Sequence, residues 1–187
     1  MSDQFPNISD EHRAFIEAQH MYFVGTAAPE GRVNVSPKGM DSLRVMGPNR
    51  IVWMNYTGSG NETAGHLPRA NRMTLMWCSF DKKPLILRAY GTARSVHMTD
   101  PDWDEMAALF TVEPHTRQFY DMTVDLVQSS CGFAVPYMTF DKDRPVLSQW
   151  GQTRGEDYIH DYWRRKNTQT IDGFDTDILR LNLGEDQ

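Results

Sequence analysis

The sequence predicts a mainly β fold, an antiparallel barrel with helices at its periphery. Strand-like segments follow one another through tight turns, and the helical segments fall between hairpins instead of alternating regularly with strands. No internal repeat or long linker divides the 187 residues. We therefore expect a single domain over residues 1–187, with a barrel core at about 20–140 and a C-terminal helical segment at about 151–167.

The predicted elements follow from apolar alternation, turn residues and helix caps. The strands span Met21–Thr26, Gly31–Ser36, Arg50–Thr57, Met73–Phe80, Leu85–Val96 and Thr123–Gln128, and Phe133–Phe140 either extends the last strand or forms another. The helices span Asp10–Gln19 behind a Ser9 cap, Glu62 to about Ala70, a segment capped by Thr99 that ends near Phe110, and Glu156–Lys166. Pro68 weakens the second helix because proline disrupts helix interiors.

The composition limits the classes of partner. A net charge of -6 argues against nucleic acid, and the one basic cluster, Arg164–Lys166, ends a predicted helix, where cations suit the helix dipole. The two cysteines are too few for a disulfide framework, which favours a reducing compartment. With no signal peptide or membrane-spanning run in the sequence, we expect a cytoplasmic protein without membrane attachment.

The stretch Trp53–Thr63, WMNYTGSGNET, raises the main functional question. An apolar strand ends in two glycines, several hydroxyl groups and an amide, and a helix follows. Backbone N–H groups at such turns bind anions. The alternatives are a phosphate cradle and an ordinary strand-to-helix turn in which Asn61 caps the helix.

Two familiar phosphate loops do not fit this stretch. A P-loop requires Lys and then Ser or Thr after its last glycine, whereas Gly60 is followed by Asn61 and Glu62. The dinucleotide pattern GxGxxG begins with Gly58 and Gly60 but has Thr63 in the third glycine position. Upstream, Lys38 ends a hairpin strand in SPKG, where it either stays in solvent or reaches an anion on a neighbouring strand.

The order of four segments resembles the FMN-binding split barrel of the pyridoxamine 5'-phosphate oxidase-like superfamily. These segments are SPKG, the strand ending in NYTGSGNET, the short helix and NRMTLMW. The resemblance covers about residues 12–97. It implies that the fold is an antiparallel split β-barrel of the FMN-binding type. The residues that it assigns to the flavin phosphate are Tyr56, Thr57, Ser59, Asn61 and Thr63.

The resemblance also assigns residues near the flavin ring and marks two departures. Ser36 and Lys38 match the strand that runs beside the ring. Glu62 and Thr63 stand where the oxidase proper has a basic pair, so Lys38, Arg72 and backbone donors would have to neutralise the phosphate. Trp150, in a loose echo of the oxidase's substrate motif, lies either against the flavin or in the core or an interface.

The function implied by the resemblance is an FMN-dependent oxidoreductase that transfers hydride between FMN and a small organic substrate or nicotinamide. The family forms homodimers with the flavin between two barrels, so a second copy is the expected partner. The alternatives are a non-catalytic flavin- or haem-binding protein and an enzyme that uses the deazaflavin F420. No catalytic residue is assigned. Cys131 is predicted as a buried or loop cysteine, His66 as a helix-surface residue, and the six histidines show no metal-ligand spacing.

Overall fold

A single antiparallel sheet of eight strands dominates the structure, which is a computed structural model that describes residues 2–185. The strands are β1 (Ser2–Phe5), β2 (Met21–Thr26), β3 (Asn34–Gly39), β4 (Leu43–Gly47), β5 (Arg50–Tyr56), β6 (Met73–Cys78), β7 (Ile86–Val96) and β8 (Thr116–Ser130). The helices are α1 (Asp10–Glu17), α2 (Glu62–His66), α3 (Trp103–Ala107), α4 (Val146–Lys166) and α5 (Ile178–Leu183). The predicted mainly β fold with peripheral helices is confirmed. Residue 1 and residues 186–187 of the predicted domain lie outside the described residues.

The strands pair in the order β3-β2-β6-β7-β8-β5-β4, and β1 pairs with the end of β8. A β-bulge lies where Tyr90 and Gly91 of β7 pair with Leu126 and Val124 of β8, so Asp125 is the extra residue and β8 bends at this point. A Cβ at Gly91 would lie 1.9 Å from the carbonyl oxygen of Thr123, so only glycine permits this close approach of the two strands. The bend helps the sheet to curl around its core.

The core fills the concave side of the sheet. On β6 the buried residues Met73, Leu75 and Trp77 alternate with partly exposed ones, as expected for a strand with one face in the core. By contrast, the middle of β5 is buried on both faces. Its outer face is covered by α3, and Met54 of β5 and Met106 of α3 belong to the same apolar cluster. None of the helices within residues 2–185 is long and apolar enough to cross a membrane.

Two predicted helix ends differ from the structure. Ser9 caps α1 as predicted, and its hydroxyl accepts a hydrogen bond from the backbone of His12 at 3.2 Å. Thr99, however, does not cap a helix, because its hydroxyl donates to the carbonyl of Leu181 at 2.6 Å and α3 begins only at Trp103. The helix predicted to reach Ala70 ends at His66, before Pro68.

One predicted strand is not a strand, others have different ends, and two strands were missed. Phe133–Phe140 is not a strand but an irregular, mostly exposed segment beyond the end of β8. The strand predicted to span Gly31–Ser36 spans Asn34–Gly39, and β1 and β4 were not predicted at all. β8 starts at Thr116, well before the predicted Thr123. The prediction missed this part of the strand because residues 116–120 are buried on both faces and so lack apolar alternation.

The C-terminal helical segment begins earlier than predicted. α4 starts at Val146 and contains a kink at Gly155, whose φ of 75° and ψ of 169° are not helical. The helix predicted at Glu156–Lys166 is therefore the second half of α4. Its inner side carries Ile159 and Trp163, which pack with residues of α5 in a separate apolar cluster.

We expect Gly151→Ala to loosen the contact of α4 with the sheet. A Cβ at Gly151 would lie 2.2 Å from Nδ1 of the buried His115, which is closer than nonbonded atoms approach. Overpacking of this kind costs about 1–3 kcal/mol, so the melting temperature should fall by roughly 2–10 °C in a thermal melt. Gly47→Ala is the control, because a Cβ there meets no heavy atom within 4 Å. Equal melting temperatures for the two variants would contradict the described packing.

Candidate functional site

A polar cleft of about 470 Å³ opens between the edge strand β3, the end of β5 and the turn that follows β5. Its size is in the range of small-molecule sites. The lining residues are Arg32, Val33, Asn34, Ser36, Pro37, Lys38, Asn55, Gly58, Ser59, Gly60, Asn61, Glu62, Thr63, Arg117 and Ile171. Of the nine residues predicted to bind the cofactor, the structure brings five together here, namely Ser36, Lys38, Ser59, Asn61 and Thr63.

Lys38 extends from β3 towards β5. Its Nζ donates a hydrogen bond to Oδ1 of Asn55 at 3.0 Å and lies 5.5 Å from the ring centre of Trp53. Burial, and then the positive charge of Arg117, lower the pKa of Lys38 to about 7. Lys38 therefore points into the cleft region, not into solvent.

Arg117, at the start of β8, is the second cation of the cleft. It is 2% exposed, and one of its Nη atoms donates to the carbonyl of Gly60 at 2.8 Å. Burial lowers the pKa of Arg117 to about 10, although the group remains a cation near neutral pH. Its Nε has no hydrogen-bond partner, and within residues 2–185 neither Arg117 nor Lys38 has a carboxylate oxygen within 4.0 Å.

The turn residues add unsatisfied donors to these two charges. Asn61 is buried, and it makes no capping hydrogen bond to α2. Its Oδ1 accepts from Gln118 at 2.9 Å, whereas its Nδ2 has no partner in the described part of the chain. Thr63 contacts the hydroxyl of Thr26 at 3.3 Å, and Ser59 is exposed at the mouth of the cleft. The site thus combines two cations and a free amide donor, which are groups that bind oxyanions.

Glu62 lines the cleft, and its carboxylate has a partner there. The carboxylate accepts hydrogen bonds from the backbone N–H of Ile171 at 3.1 and 3.3 Å. Its negative charge also acts on Arg117 and favours the charged guanidinium, which keeps the pKa of Arg117 from falling further. An anion in the cleft would therefore bind beside one carboxylate, which is engaged by a residue more than 100 positions away in the sequence.

Four of the predicted site residues do not line the cleft. Thr57 is buried, and its hydroxyl accepts from the indole of Trp163 at 2.8 Å. Tyr56 stacks on His115, with 4.9 Å between ring centres. Trp150 packs edge-on against Tyr162, with 5.6 Å between ring centres, in the apolar cluster that α4 shares with α5.

Arg72, the fourth of these residues, lines a separate groove with Tyr90 and Asp125. His66, predicted on a helix surface, is a correction: it is 1% exposed, and its Nδ1 lies 3.1 Å from the hydroxyl of Thr26. The reason is that Phe174, from the C-terminal segment, covers this side of α2, with 6.4 Å between the two ring centres.

Sequence reasoning missed Arg117 and Asn55. Both lie in strand segments that are buried on both faces, so their polar side chains interrupt an apolar pattern. A charged residue inside such a run was the available signal, because a buried arginine requires a partner.

The remaining candidate groups do not form a site. Cys131 lies exposed in the loop after β8, in agreement with one of the two predicted placements. Across the described residues 2–185, no three His, Cys, Asp or Glu side chains are grouped so that they could hold a metal ion.

Comparison with known proteins places the chain in a family. The family model described as pyridoxamine 5'-phosphate oxidase matches residues 8–131, more than half of the chain. The chain belongs to the pyridoxamine 5'-phosphate oxidase family. A member of this family from Aspergillus flavus, the protein ustO, is 32% identical over 189 residues, covering 90% of this chain and 75% of the relative. All described cleft residues except Ile171 lie within the family match.

Solved structures of other proteins share the fold. A Clostridium acetobutylicum protein related to general stress protein 26, of the pyridoxinephosphate oxidase family, matches 70% of this chain and 92% of its own, with 18% identity and a TM-score of 0.52. HupZ from Group A Streptococcus matches 64% of this chain and 91% of its own, with 17% identity and a TM-score of 0.51. The predicted split β-barrel is confirmed.

Proposed function

We propose that the protein is an FMN-dependent oxidoreductase and that the cleft beside Lys38 and Arg117 holds the flavin phosphate. The observation that carries the proposal is the pairing of the buried Arg117 with the half-buried Lys38, neither of which has a carboxylate oxygen within 4.0 Å among the described residues. Leaving a cation unpaired in a protein interior is unfavourable, so the arrangement calls for an anionic ligand. A phosphate provides two negative charges near neutral pH and oxygen acceptors for several donors.

The groups of the cleft fit a phosphate in number and in kind. Arg117 offers its unpartnered Nε, Asn61 offers Nδ2, and Lys38 offers an ammonium group whose protonation an adjacent anion would favour. Ser59 and Thr63 add hydroxyl groups at the turn. Bound FMN would supply the hydride chemistry of its ring system, and the protein would supply binding, orientation and charge.

The lining of the cleft favours a flavin over haem. Haem iron in proteins is held by His, Cys, Met or Tyr. Among residues 2–185, none of the side chains that line the cleft belongs to these four types. The lining offers three basic side chains against one carboxylate, together with hydroxyl and amide groups, and these groups suit a phosphorylated organic cofactor.

A second copy of the chain and a small organic substrate or nicotinamide belong to the same proposal. Large apolar side chains are exposed in the segment after β8, including Phe133 at 81%, Tyr137 at 79% and Met138 at 60%. Exposed apolar clusters of this kind are typical of interfaces. The cytoplasmic location and the transfer of hydride between substrate and FMN remain predictions, and no side chain is assigned an acid or base role.

The visible spectrum of the purified protein, together with titration of FMN into any colourless fraction, tests the proposal. We expect two bands at flavin wavelengths, or saturable quenching of FMN fluorescence with a stoichiometry of one per chain. A Soret band would show that the cofactor is haem and not FMN. Binding of F420 in preference to FMN would assign the deazaflavin as the cofactor. A protein that binds none of the three would refute the cofactor assignment.

A further inference from the structure

The turn of the candidate site is held from outside the region that matches the family. Residues 167–176, which we call the strap, connect α4 to α5 and cross the outer side of α2 and the turn. The family match ends at residue 131, so the strap and the end of α4 lie beyond it. Their contacts with the turn therefore come from the C-terminal part of the chain.

Two buried side chains at the end of α4 form hydrogen bonds to the start of the turn. Trp163 is fully buried, and its indole N–H donates to the hydroxyl of Thr57 at 2.8 Å. Asn167, also fully buried, donates from Nδ2 to the carbonyl oxygen of Gly58 at 3.0 Å. Neither Trp163 nor Asn167 lines the cleft.

The bond from Asn167 fixes the orientation of one peptide unit. In a trans peptide the carbonyl of Gly58 and the N–H of Ser59 point in opposite directions, and no cis peptide is present in the described chain. Because the carbonyl of Gly58 is directed at Asn167, the N–H of Ser59, a residue that lines the cleft, is directed away from Asn167. Asn167 thus orients a backbone donor that it does not contact.

The strap also holds the far end of the turn and the hairpin opposite. Ile171 donates its backbone N–H to the carboxylate of Glu62, and Asp172 accepts from both the backbone N–H and the guanidinium of Arg32. α2 lies directly beneath, since a Cβ at Gly65 would be 2.4 Å from Cγ2 of Thr170. These contacts leave the turn little freedom to relax.

We propose that Asn167 and Trp163 are positioning residues that present the turn's donors to the phosphate of the ligand, so that the C-terminal segment sets the selectivity for a phosphorylated flavin. The inference rests on the proposed function. It predicts an effect on the phosphate end of the ligand alone, because both side chains act on residues 57–59 and on no other part of the cleft.

The test compares FMN with riboflavin, which lacks the phosphate, in fluorescence-quenching titrations. Asn167→Ala and Trp163→Phe should each weaken FMN binding about tenfold, roughly the effect of one hydrogen bond, and leave riboflavin affinity unchanged. Gln169→Ala is the matched control. It removes an exposed side-chain hydrogen bond to Asp175 within the strap, touches neither Asn167 nor the turn, and should leave both affinities unchanged.

Hydrogen exchange of the ligand-free proteins provides a second measurement that does not depend on the flavin. Asn167→Ala and Trp163→Phe should speed exchange in peptides covering residues 57–61 about tenfold relative to Gln169→Ala, because each removes one hydrogen bond that holds the turn. If the wild-type protein binds no flavin, the proposed function fails, and exchange alone decides whether the side chains order the turn. Equal losses of FMN and riboflavin affinity, or unchanged FMN affinity and exchange in both variants, would overturn the positioning role.

Discussion

Arg117→Met is expected to remove most of the affinity for FMN without destabilising the protein. The variant deletes a buried cation that has no carboxylate partner among the described residues, so the cost of burying that charge disappears with it. The loss of charge-assisted hydrogen bonds to phosphate should weaken FMN binding by about 2–4 kcal/mol, or roughly 30- to 900-fold in Kd. The melting temperature should stay the same or rise.

A loss of FMN affinity without a fall in melting temperature distinguishes an arginine that binds the ligand from one that stabilises the fold. Riboflavin affinity should change little in Arg117→Met, because the missing partner is the phosphate. Arg88→Met is the control: Arg88 is partly buried on β7, donates to Ser130 and does not line the cleft. A clear fall in melting temperature with an unchanged ratio of FMN to riboflavin affinity would show that Arg117 serves the fold alone.

Lys38→Met should weaken FMN binding by roughly tenfold or more and change its dependence on pH. Burial and Arg117 lower the pKa of Lys38 to about 7 in the ligand-free protein. A phosphate beside the ammonium favours the charged form, so binding should take up a proton at pH 8. Wild-type affinity should therefore fall as the pH rises above about 7.

Calorimetric titrations at pH 8 in two buffers of different ionisation enthalpy measure this proton uptake directly. Lys38→Met should show none. In the absence of ligand, the unfolded chain binds more protons than the folded one between the folded pKa of about 7 and the unfolded value near 10.5, so stability attributable to Lys38 should rise with pH across that window. Identical proton uptake in both proteins would mean that Lys38 does not meet the phosphate.

Local patterns in the sequence predicted most of the sheet and one side of the cleft. Strands with one buried face, such as β6, show the alternation that identifies them. The turn from Gly58 to Asn61 was recognised by its residue types, and the structure places it at the cleft. Ser9, a typical helix-capping residue, likewise predicted the start of α1.

The other side of the cleft was not predictable because distant segments create it. β8 begins where both faces are buried, so Arg117 carried no strand signal. The carboxylate of Glu62, which lines the cleft, accepts a hydrogen bond from Ile171, a contact that no local pattern in the sequence indicates. Thr57, predicted to contact the phosphate, accepts a hydrogen bond from Trp163, 106 residues further along the chain.

The order of pairing in the sheet has a consequence for folding. Asn55 lies opposite Gln118 in the β5–β8 ladder, so the end of β5 meets the start of β8 only after a loop of about 60 residues closes. Contacts across such separations form slowly and late. The cleft draws on β3, β5 and β8, so it exists only once this non-local ladder has formed. Its ligand should therefore bind the finished barrel alone, and the free energy of unfolding should rise with the logarithm of the ligand concentration once that concentration exceeds Kd.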